Sequence, residues 1–346
     1  MKKATKETAI GISRTSGKTR FASMHRAWHD GRPFRWEPVR TCVDPDVSFR
    51  VRKSPFMHRR RFVLAALGAA GVTVGARAVS AEPFDIVYPR IRPGGDVHAA
   101  FALAVLDLAM RTANAAYTAR QAEIVMERGR ALAELANGHN TINLHWTSME
   151  ATAERGLNVV RLPIHRGLIG YRVFVIRKDR QRDFDKVERF SDLKAFTCGQ
   201  GLGWIDVDIL KATGLDVQTS TYETMFQMVQ SGRVDYFPRG VVEAFAELEG
   251  RQHREPDLVV ENRLMLKYRS DFIFYVATGH EALAKTIEKG LVQAYRDGTY
   301  LKLFNSHPYI QDALARTKPA FRKTFRLDNP YLSEADRRIP HDYWMS

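Results

Sequence analysis

Three glycines at alternate positions, Gly199, Gly201 and Gly203, follow a short apolar strand and precede a predicted helix. The first N–H groups of a helix have no partner inside the helix, and the helix dipole favours an anion beside them. The pattern therefore predicts a loop that binds a carboxylate. It also resembles half of a dinucleotide-binding fingerprint, but the glycine expected at the sixth position is missing. The structural alternative is a glycine-rich turn that packs Trp204 inward.

Further candidate ligand contacts lie at the ends of two other predicted strands. Tyr88 and Arg90 stand where the first strand ends. Ligands bind at the carboxyl ends of strands in open α/β sheets, although an exposed arginine is the default interpretation of Arg90. Trp146 ends the strand INLHW. Its ring could stack on a solute at the mouth of a cleft, or it could fill the core.

The remaining residues with reactive or metal-binding side chains are interpreted as structural. His145 and His165 have no partners at metal-ligand spacing. Cys198 is the only cysteine after residue 81, so no intramolecular disulfide is expected there. It ends a predicted strand, where a buried, inert thiol is the common outcome. We therefore expect no metal, no cofactor and no catalytic residue.

Short apolar strands alternate with amphipathic helices over residues 82–346, which predicts an α/β protein with largely parallel sheets. Cap residues mark the helix ends: Asp96 precedes the first helix, and Asn137 with Gly138 closes the second. The predicted strands are 84–88, 141–146, 171–176, 195–198, 234–237 and 272–277, and the predicted helices are 98–116, 128–137, one ending at 212, 222–231 and 281–297.

The order of several short motifs resembles the extracellular solute-binding proteins of ABC importers, specifically the amino-acid-binding family 3. The resemblance covers nearly all of residues 82–346 and depends on the order and spacing of its motifs. The motifs are ELANG at 134–138, TAER at 152–155, DLK at 192–194 followed by GQG at 199–201, SGRVD at 231–235, and DGTY at 297–300.

This resemblance implies a type 2 periplasmic-binding fold, in which two α/β lobes with mostly parallel sheets clamp a solute between them. Lobe one would comprise residues 82–170 and 277–346, and lobe two residues 171–276. Two crossing strands near 170–172 and 274–276 would form a hinge that closes around the ligand. In the family, the arginine that corresponds to Arg155 holds the ligand carboxylate. The alternative is an exposed arginine paired with Glu150 or Glu154.

Two departures from the family pattern change the expected ligand. Gly240 stands where amino-acid binders carry an ammonium-binding Asp, and Arg239 precedes it. The hydroxyl pair that usually follows the glutamine-glycine motif is replaced by Leu202 and Gly203. An ammonium group would be left unpaired, which is costly in a buried site. We therefore expect an organic anion, held by Arg239, Arg155 and the glycine loop.

Residues 57–81 read as a cleavable export signal. A basic start, HRRR, precedes a 15-residue uncharged apolar run and the small residues VSA, and the twin-arginine pattern is also present. The 56 residues before Met57 would then be a non-native extension; the alternative is a basic N-terminal arm. Residues 1–81 hold 17 of the chain's 53 Lys and Arg and 5 of its 39 Asp and Glu, so residues 82–346 keep 36 and 34. That balance excludes a basic nucleic-acid-binding protein.

Three classes of function fit these features. The first is a monomeric periplasmic protein that delivers a small polar solute to an ABC permease. The second is an exported enzyme of the same fold, such as a dehydratase acting on a carboxylic acid, with Glu150 or Glu243 as general acid or base. The third is a ligand-sensing partner of a separate membrane receptor, because no membrane span follows residue 81.

Overall fold

The computed structural model describes residues 82–91, 99–138 and 141–345, which belong to one unit of the chain. The predicted export signal, the extension before it and the helix cap Asp96 lie outside the described residues. The strands are β1 Phe84–Arg90, β2 Tyr117–Val125, β3 Leu144–Ser148, β4 Asn158–Val160, β5 Tyr171–Arg177, β6 Cys198–Gly201, β7 Val217–Ser220, β8 Tyr236–Gly240, β9 Leu258–Val260, β10 Leu264–Lys267, β11 Phe272–Val276 and β12 Lys323–Arg326.

The helices flank two separate groups of strands. They are α1 Ala99–Thr112, α2 Arg128–Asn137, α3 Gln181–Phe184, α4 Ile205–Ala212, α5 Tyr222–Gln230, α6 Ala244–Glu249, α7 Glu281–Arg296, α8 Thr299–Ser306, α9 Pro308–Thr317 and α10 Glu334–Arg337. Helix α7 buries Leu283, Ile287 and Leu291 at four-residue spacing. It packs against α1, so these apolar faces form the core of the first lobe.

Lobe one contains the first group of strands. Strand β11 lies between β3 and β4 and is antiparallel to both, while β1 and β2 pair in parallel. The side chain of Asn143 joins these two small sheets, because its Oδ1 accepts from the Val87 N–H at 2.8 Å. Val87 in turn accepts from the Asn143 N–H at 2.9 Å.

Lobe two contains a seven-stranded sheet in the order β12-β10-β5-β8-β6-β7, with β9 beside β5. The two-lobed α/β fold predicted from the sequence is confirmed. The sheet is mixed and not mostly parallel as expected. Strand β5 runs outward from lobe one, and the strands beside it, β8, β9 and β10, run back toward that lobe and are therefore antiparallel to it.

Two chain segments cross between the lobes side by side. The first enters β5 at Tyr171, where the sequence predicts a crossing. The second lies at 268–271 and not at 274–276, because β11 pairs with β3 and β4 in lobe one. Tyr268 N–H donates to the Gly170 carbonyl at 3.1 Å. A Cβ on Gly170 would lie 2.0 Å from the Tyr268 carbonyl oxygen, so glycine permits this close approach.

The C-terminal segment crosses from lobe one to lobe two and back again. Strand β12 pairs with β10 in lobe two, so residues 277–346 do not all belong to lobe one as predicted. Residues 327–345, here called the C-terminal strap, then return to lobe one. There Leu332 and Ile339 pack in the same apolar cluster as Tyr275. The strap lies against the second crossing segment, since Arg269 Nη2 donates to the Ile339 carbonyl at 2.6 Å.

Candidate functional site

A cavity of about 100 Å³ lies between the two lobes, beside the crossing segments. Its wall combines charged and apolar side chains from both lobes. Lobe one and its border contribute Pro89, Ile91, Arg128, His145, Trp146, Thr147, Ser148 and Phe272; lobe two contributes Arg172, Trp204, Asp206, Arg239 and Glu243. Three predicted site residues, Trp146, Trp204 and Arg239, therefore meet in one place.

Trp146 belongs both to the core and to the cavity wall. Its side chain is 7% exposed and packs in the main apolar cluster of lobe one. Its ring centroid lies 5.3 Å from that of Tyr88 and 6.4 Å from that of Phe274. Tyr88 is half-buried, and burial raises the pKa of its hydroxyl. The two alternatives for Trp146 are therefore compatible, because the residue packs in the core and also lines the cavity.

Arg239 is buried in lobe two and is neutralised from within the protein. Its Nε and Nη2 atoms lie 2.7 and 2.8 Å from the two carboxylate oxygens of Glu247. Its Nη2 also lies 2.8 Å from Glu243 Oε1. Burial alone would lower the pKa of Arg239, but the two carboxylates outweigh it and raise that pKa well above its usual value. Arg239 is thus not the unpaired cation that the sequence predicted.

Arg172 extends the same ion network across the start of β5. Its Nη2 lies 2.6 Å from Asp206 Oδ1, and its Nη1 lies 3.2 Å from Glu243 Oε2. Burial lowers the pKa of Arg172, but the charges of Asp206, Tyr268 and Glu243 together raise it above the usual value. The Tyr268 hydroxyl also donates to Asp206. Two arginines are therefore joined to three buried carboxylates, counting Glu247.

Glu243 occupies the space beside Gly240. Its Oε2 accepts from the Gly240 N–H at 2.8 Å. A Cβ on Gly240 would lie 2.8 Å from that same oxygen. The family resemblance placed a ligand-binding acid at position 240, and here a carboxylate reaches that space from three residues later. The sequence predicted that this part of the site lacks an acid, and that prediction is wrong because the Glu243 carboxylate lies there.

Arg128 is a charged residue that links the two lobes across the cavity. It is the first residue of α2, and its Nε donates to Thr147 Oγ1 at 2.9 Å. Its Nη2 lies 2.5 Å from Glu150 Oε2 in lobe one. Its Nη1 donates to the Gly203 carbonyl of lobe two at 3.3 Å. The guanidinium thus fastens the end of β3 to the glycine loop.

Several N–H groups of the glycine loop already donate hydrogen bonds to acceptors within the protein. The N–H groups of Gly201, Leu202 and Trp204 donate to Gln200 Oε1, the Ser220 carbonyl and the Gly201 carbonyl at 3.0, 2.8 and 3.2 Å. A Cβ on Gly201 would lie 2.4 Å from the Trp204 ring, which supports the alternative of a turn that packs this ring.

The start of helix α4, which follows the glycine loop, already carries acidic side chains. Asp206 and Asp208 lie in its first turn. Asp206 is buried and pairs with Arg172, so one of the protein's own carboxylates lies where the sequence predicted a ligand carboxylate. Gly203, at φ +73°, lies at the exposed rim of the cleft near Glu150.

Two predicted ligand-binding arginines lie outside the cavity lining. Arg155 is exposed at the end of a short 3₁₀ turn, Ala151–Glu154. The acidic partners considered for it are taken by others, since Glu150 pairs with Arg128 and Glu154 pairs with Arg161. Arg90 is half-buried. Its sequence neighbours Pro89 and Ile91 line the cavity, but Arg90 itself does not.

His145 and His165 occupy different environments. His165 is buried beside Asp271, with 3.3 Å between Nδ1 and Oδ1. That contact supports its structural interpretation. His145 lines the cavity and is 4% exposed. Burial and, secondarily, the charge of Arg128 lower the pKa of His145 to about 3. His145 is therefore neutral at physiological pH.

No protein-family model and no curated protein matches the chain. Many solved structures match it at low identity. They include an ancestral arginine-binding protein bound to arginine, at 17% identity, 64% coverage of this chain, 96% of that chain and a TM-score of 0.46. A histidine kinase sensor domain similar to periplasmic binding proteins matches at 16% identity, with 65% coverage of this chain, 95% of that chain and a TM-score of 0.47. A structure from work on glutathione import through the cystine ABC importer of Streptococcus mutans matches at 13% identity, with 66% coverage of this chain, 96% of that chain and a TM-score of 0.48.

The described part of the chain shows neither a metal centre nor a membrane helix. No group of three or more His, Cys, Asp or Glu among those residues is placed to hold a metal ion. None of the described helices is both long and apolar enough to cross a membrane. Cys198 is buried, and burial raises the pKa of its thiol, as expected for an inert structural cysteine.

Sequence reasoning missed Arg128, and one signal could have found it. The helix dipole disfavours a cation at a helix start, typically by about 0.3–1 kcal/mol. An arginine as the first residue of α2 therefore needs partners outside its own helix. The structure supplies them from β3 and from the glycine loop.

Proposed function

We propose that this protein is an exported, non-enzymatic solute-binding protein that holds one small polar solute in the interlobe cavity. The observation that carries the proposal is that both lobes contribute to the cavity wall at the point where the chain crosses between them. A ligand in such a position stabilises the arrangement in which the two lobes approach each other. An ABC permease is the proposed membrane partner, and the protein is proposed to act as a monomer.

The size of the cavity favours a small solute. A cavity of about 150 Å³ in another protein holds benzene, which has six non-hydrogen atoms. The cavity here is about 100 Å³. Without further opening of the lobes it accommodates a molecule of roughly this size or smaller, such as a short amino acid, hydroxy acid or polyol.

The charges around the cavity favour a solute with no net charge. The organic anion expected from the sequence requires an unpaired guanidinium. Among the residues that the structure describes, the arginines that line the cavity are Arg128, Arg172 and Arg239, and each has a carboxylate partner within 2.5–2.8 Å. A net anion would also approach the carboxylates of Asp206 and Glu243 in the same wall. We therefore infer a neutral or zwitterionic solute.

The contacts of Glu150 and Glu243, the two proposed general acids or bases, do not favour the enzyme alternative. Glu243 contacts two arginines and the Gly240 N–H, and Glu150 pairs with Arg128. Both carboxylates are thus engaged by arginines of the protein itself, which leaves neither positioned to exchange a proton with a bound solute.

A thermal-shift screen of the purified protein tests the proposed function. The panel comprises small amino acids, hydroxy acids, polyols, and the di- and trianions succinate and citrate. A bound ligand at 100 times its dissociation constant adds about 2.7 kcal/mol to the free energy of unfolding. We expect stabilisation by a small neutral or zwitterionic compound. Stabilisation only by the anions of the panel (the hydroxy acids, succinate and citrate), or by no compound, would contradict the proposal.

Export to the periplasm is part of the proposal and has its own test. Residues 79–81, VSA, follow the apolar segment and supply the small residues that signal peptidase requires. N-terminal sequencing of exported protein should therefore find Glu82 as the first residue. Recovery of exported protein that still carries residues 1–56 would contradict this processing.

A further inference from the structure

His145 is a buried polar group of the cavity that the contacts described above leave unused. It lies in β3, opposite Tyr275 of β11. Its side chain is 4% exposed, and the residue lines the cavity. Among the residues that the structure describes, neither Nδ1 nor Nε2 has a hydrogen-bond partner. Buried polar groups are nearly always hydrogen-bonded, so an unpartnered imidazole beside a cavity needs an explanation.

The chemistry of a neutral imidazole restricts what can bind it. One ring nitrogen donates a hydrogen bond, and the other accepts one. The lowered pKa of His145 keeps the ring in this form throughout the physiological range. A carboxylate can bond only the N–H of this ring and an ammonium only its unprotonated nitrogen, and the nearby charge of Arg128 disfavours a cation. A hydroxyl group can bond either nitrogen and carries no charge, so it matches the imidazole best.

We propose that His145 is a specificity-determining residue that hydrogen-bonds an uncharged hydroxyl group of the solute inside the cavity. This inference rests on the proposed function and adds to it the chemical class of the solute. The small cavity volume limits the solute to a few non-hydrogen atoms beyond that hydroxyl. A site built to bond a hydroxyl discriminates against the analogue that lacks it, because the protein group is then left unpaired.

The test uses pairs of neutral or zwitterionic probes that differ by one hydroxyl group: L-serine with L-alanine, L-lactamide with propionamide, and glycerol with 1,2-propanediol. Dissociation constants are measured by calorimetry for the wild-type protein and for His145→Leu, His145→Gln and the control His253→Gln. His253 is exposed and does not line the cavity. A thermal melt of each variant establishes that it is folded at the temperature of the titration.

We expect the wild-type protein to prefer the hydroxylated member of at least one pair by roughly tenfold or more. His145→Leu should abolish that preference while changing the affinity for the other member by less than about threefold. His145→Gln, which keeps a donor and an acceptor, should retain part of it, and His253→Gln should retain all of it. If His145→Leu does not fold, a preference in His145→Gln equal to that of the wild type overturns the proposal.

The contrary outcomes separate this inference from the proposed function. An unchanged hydroxyl preference in His145→Leu, or the absence of such a preference in a wild-type protein that binds the probes, overturns the role of His145 alone. A lower melting temperature of His145→Leu with unchanged selectivity would show a merely structural histidine and also overturns it. If no compound of the probe pairs or of the wider screen binds the wild-type protein, the proposed function itself fails.

Discussion

At the scale of single residues, the interlobe cavity is bordered by charges that are paired within the protein. Arg172 and Arg239 contact Asp206, Glu243 and Glu247, and all five side chains are at least 95% buried. Removing one partner from a buried ion pair leaves a charge without compensation, which typically costs about 3–5 kcal/mol. The network therefore fixes the shape of the cavity wall more than it attracts a charged ligand.

The first prediction concerns Glu247, which holds Arg239 through two hydrogen bonds behind the cavity. Glu247→Ala should lower the free energy of unfolding by about 3–5 kcal/mol, because Arg239 loses its bidentate partner. The matched control is Glu334→Ala, which removes an exposed pair with Arg338 and should cost less than about 1 kcal/mol. Urea unfolding measures both values. Equal losses in the two variants would refute the structural role of this network.

The second prediction concerns pH. The pKa of His145 is about 3 in the folded protein and 6.5 in the unfolded chain. Below pH 6.5 the unfolded state therefore binds a proton that the folded state does not, so this residue's contribution to stability is lost as the pH falls toward 3. The slope approaches about 1.4 kcal/mol per pH unit. Between pH 6 and pH 4.5, His145→Gln should lose about 2 kcal/mol less stability than the wild type.

Urea unfolding at several pH values measures this difference. His253→Gln serves as the control because His253 is exposed. It should keep the pH dependence of the wild type. If His145→Gln also keeps it, the imidazole is not buried in its neutral form.

Several site residues could be predicted from the sequence, but their partners could not. Trp146, Trp204 and Arg239 were singled out because they follow strand ends or family motifs, and all three line the cavity. The sequence did not show that Glu243 and Glu247 turn back onto Arg239, because that contact depends on how α6 folds over the end of β8. The roles of the cavity residues in binding a solute remain predictions.

At the scale of elements, the sequence predicted strands and helices better than it predicted which lobe they join. Strand β11 was correctly expected near 272–277, but its uniformly apolar sequence, FIFYV, fits any buried sheet. Only its pairing with β3 and β4 assigns it to lobe one. Strand β2, with mostly exposed side chains and only Ala122 fully buried, lacks the apolar alternation that identifies a strand, and it was missed.

The third prediction concerns the C-terminal strap. Arg269 lies 4.4 Å from the Trp344 ring and donates to the Ile339 carbonyl. Arg269→Ala should therefore loosen the strap, so that amide hydrogens in 332–345 exchange faster while those of β3 and β11 stay protected. Hydrogen exchange with mass spectrometry measures both regions. The control Arg338→Ala removes an exposed arginine of the same segment.

Either of two results would contradict the prediction that Arg269 holds the C-terminal strap in place. Unchanged exchange in Arg269→Ala would show that the arginine does not fasten the segment. Equal acceleration in Arg338→Ala would show that the effect is not specific to the contact with the crossing segment.

At the scale of the whole molecule, the sequence-based expectation of two lobes was correct because it rested on the order of many elements. The expected organic anion rested on local departures from a family pattern, at Gly240 beside Arg239 and at Leu202 with Gly203. The carboxylate of Glu243 lies in the space beside Gly240. A local departure from a family pattern is thus a weaker basis for inferring a ligand than the charge pairing of the folded site.

The most direct test of a solute bound between the lobes is a calorimetric titration of variants in both cavity walls. The ligand is the compound that stabilises the protein most in the thermal-shift screen. Trp146→Leu alters the wall from lobe one. Gly201→Ala alters the wall from lobe two, since its Cβ would lie 2.4 Å from the Trp204 ring and must displace it. Gly250→Ala is the control, because the nearest contact of its Cβ would be 3.7 Å.

We predict that Trp146→Leu and Gly201→Ala each weaken binding by at least about tenfold, which is about 1.4 kcal/mol. Gly250→Ala should bind the ligand as the wild-type protein does. Wild-type affinity in either Trp146→Leu or Gly201→Ala, with both variants folded, would place the solute on one lobe only or elsewhere and would contradict a site shared by the two lobes.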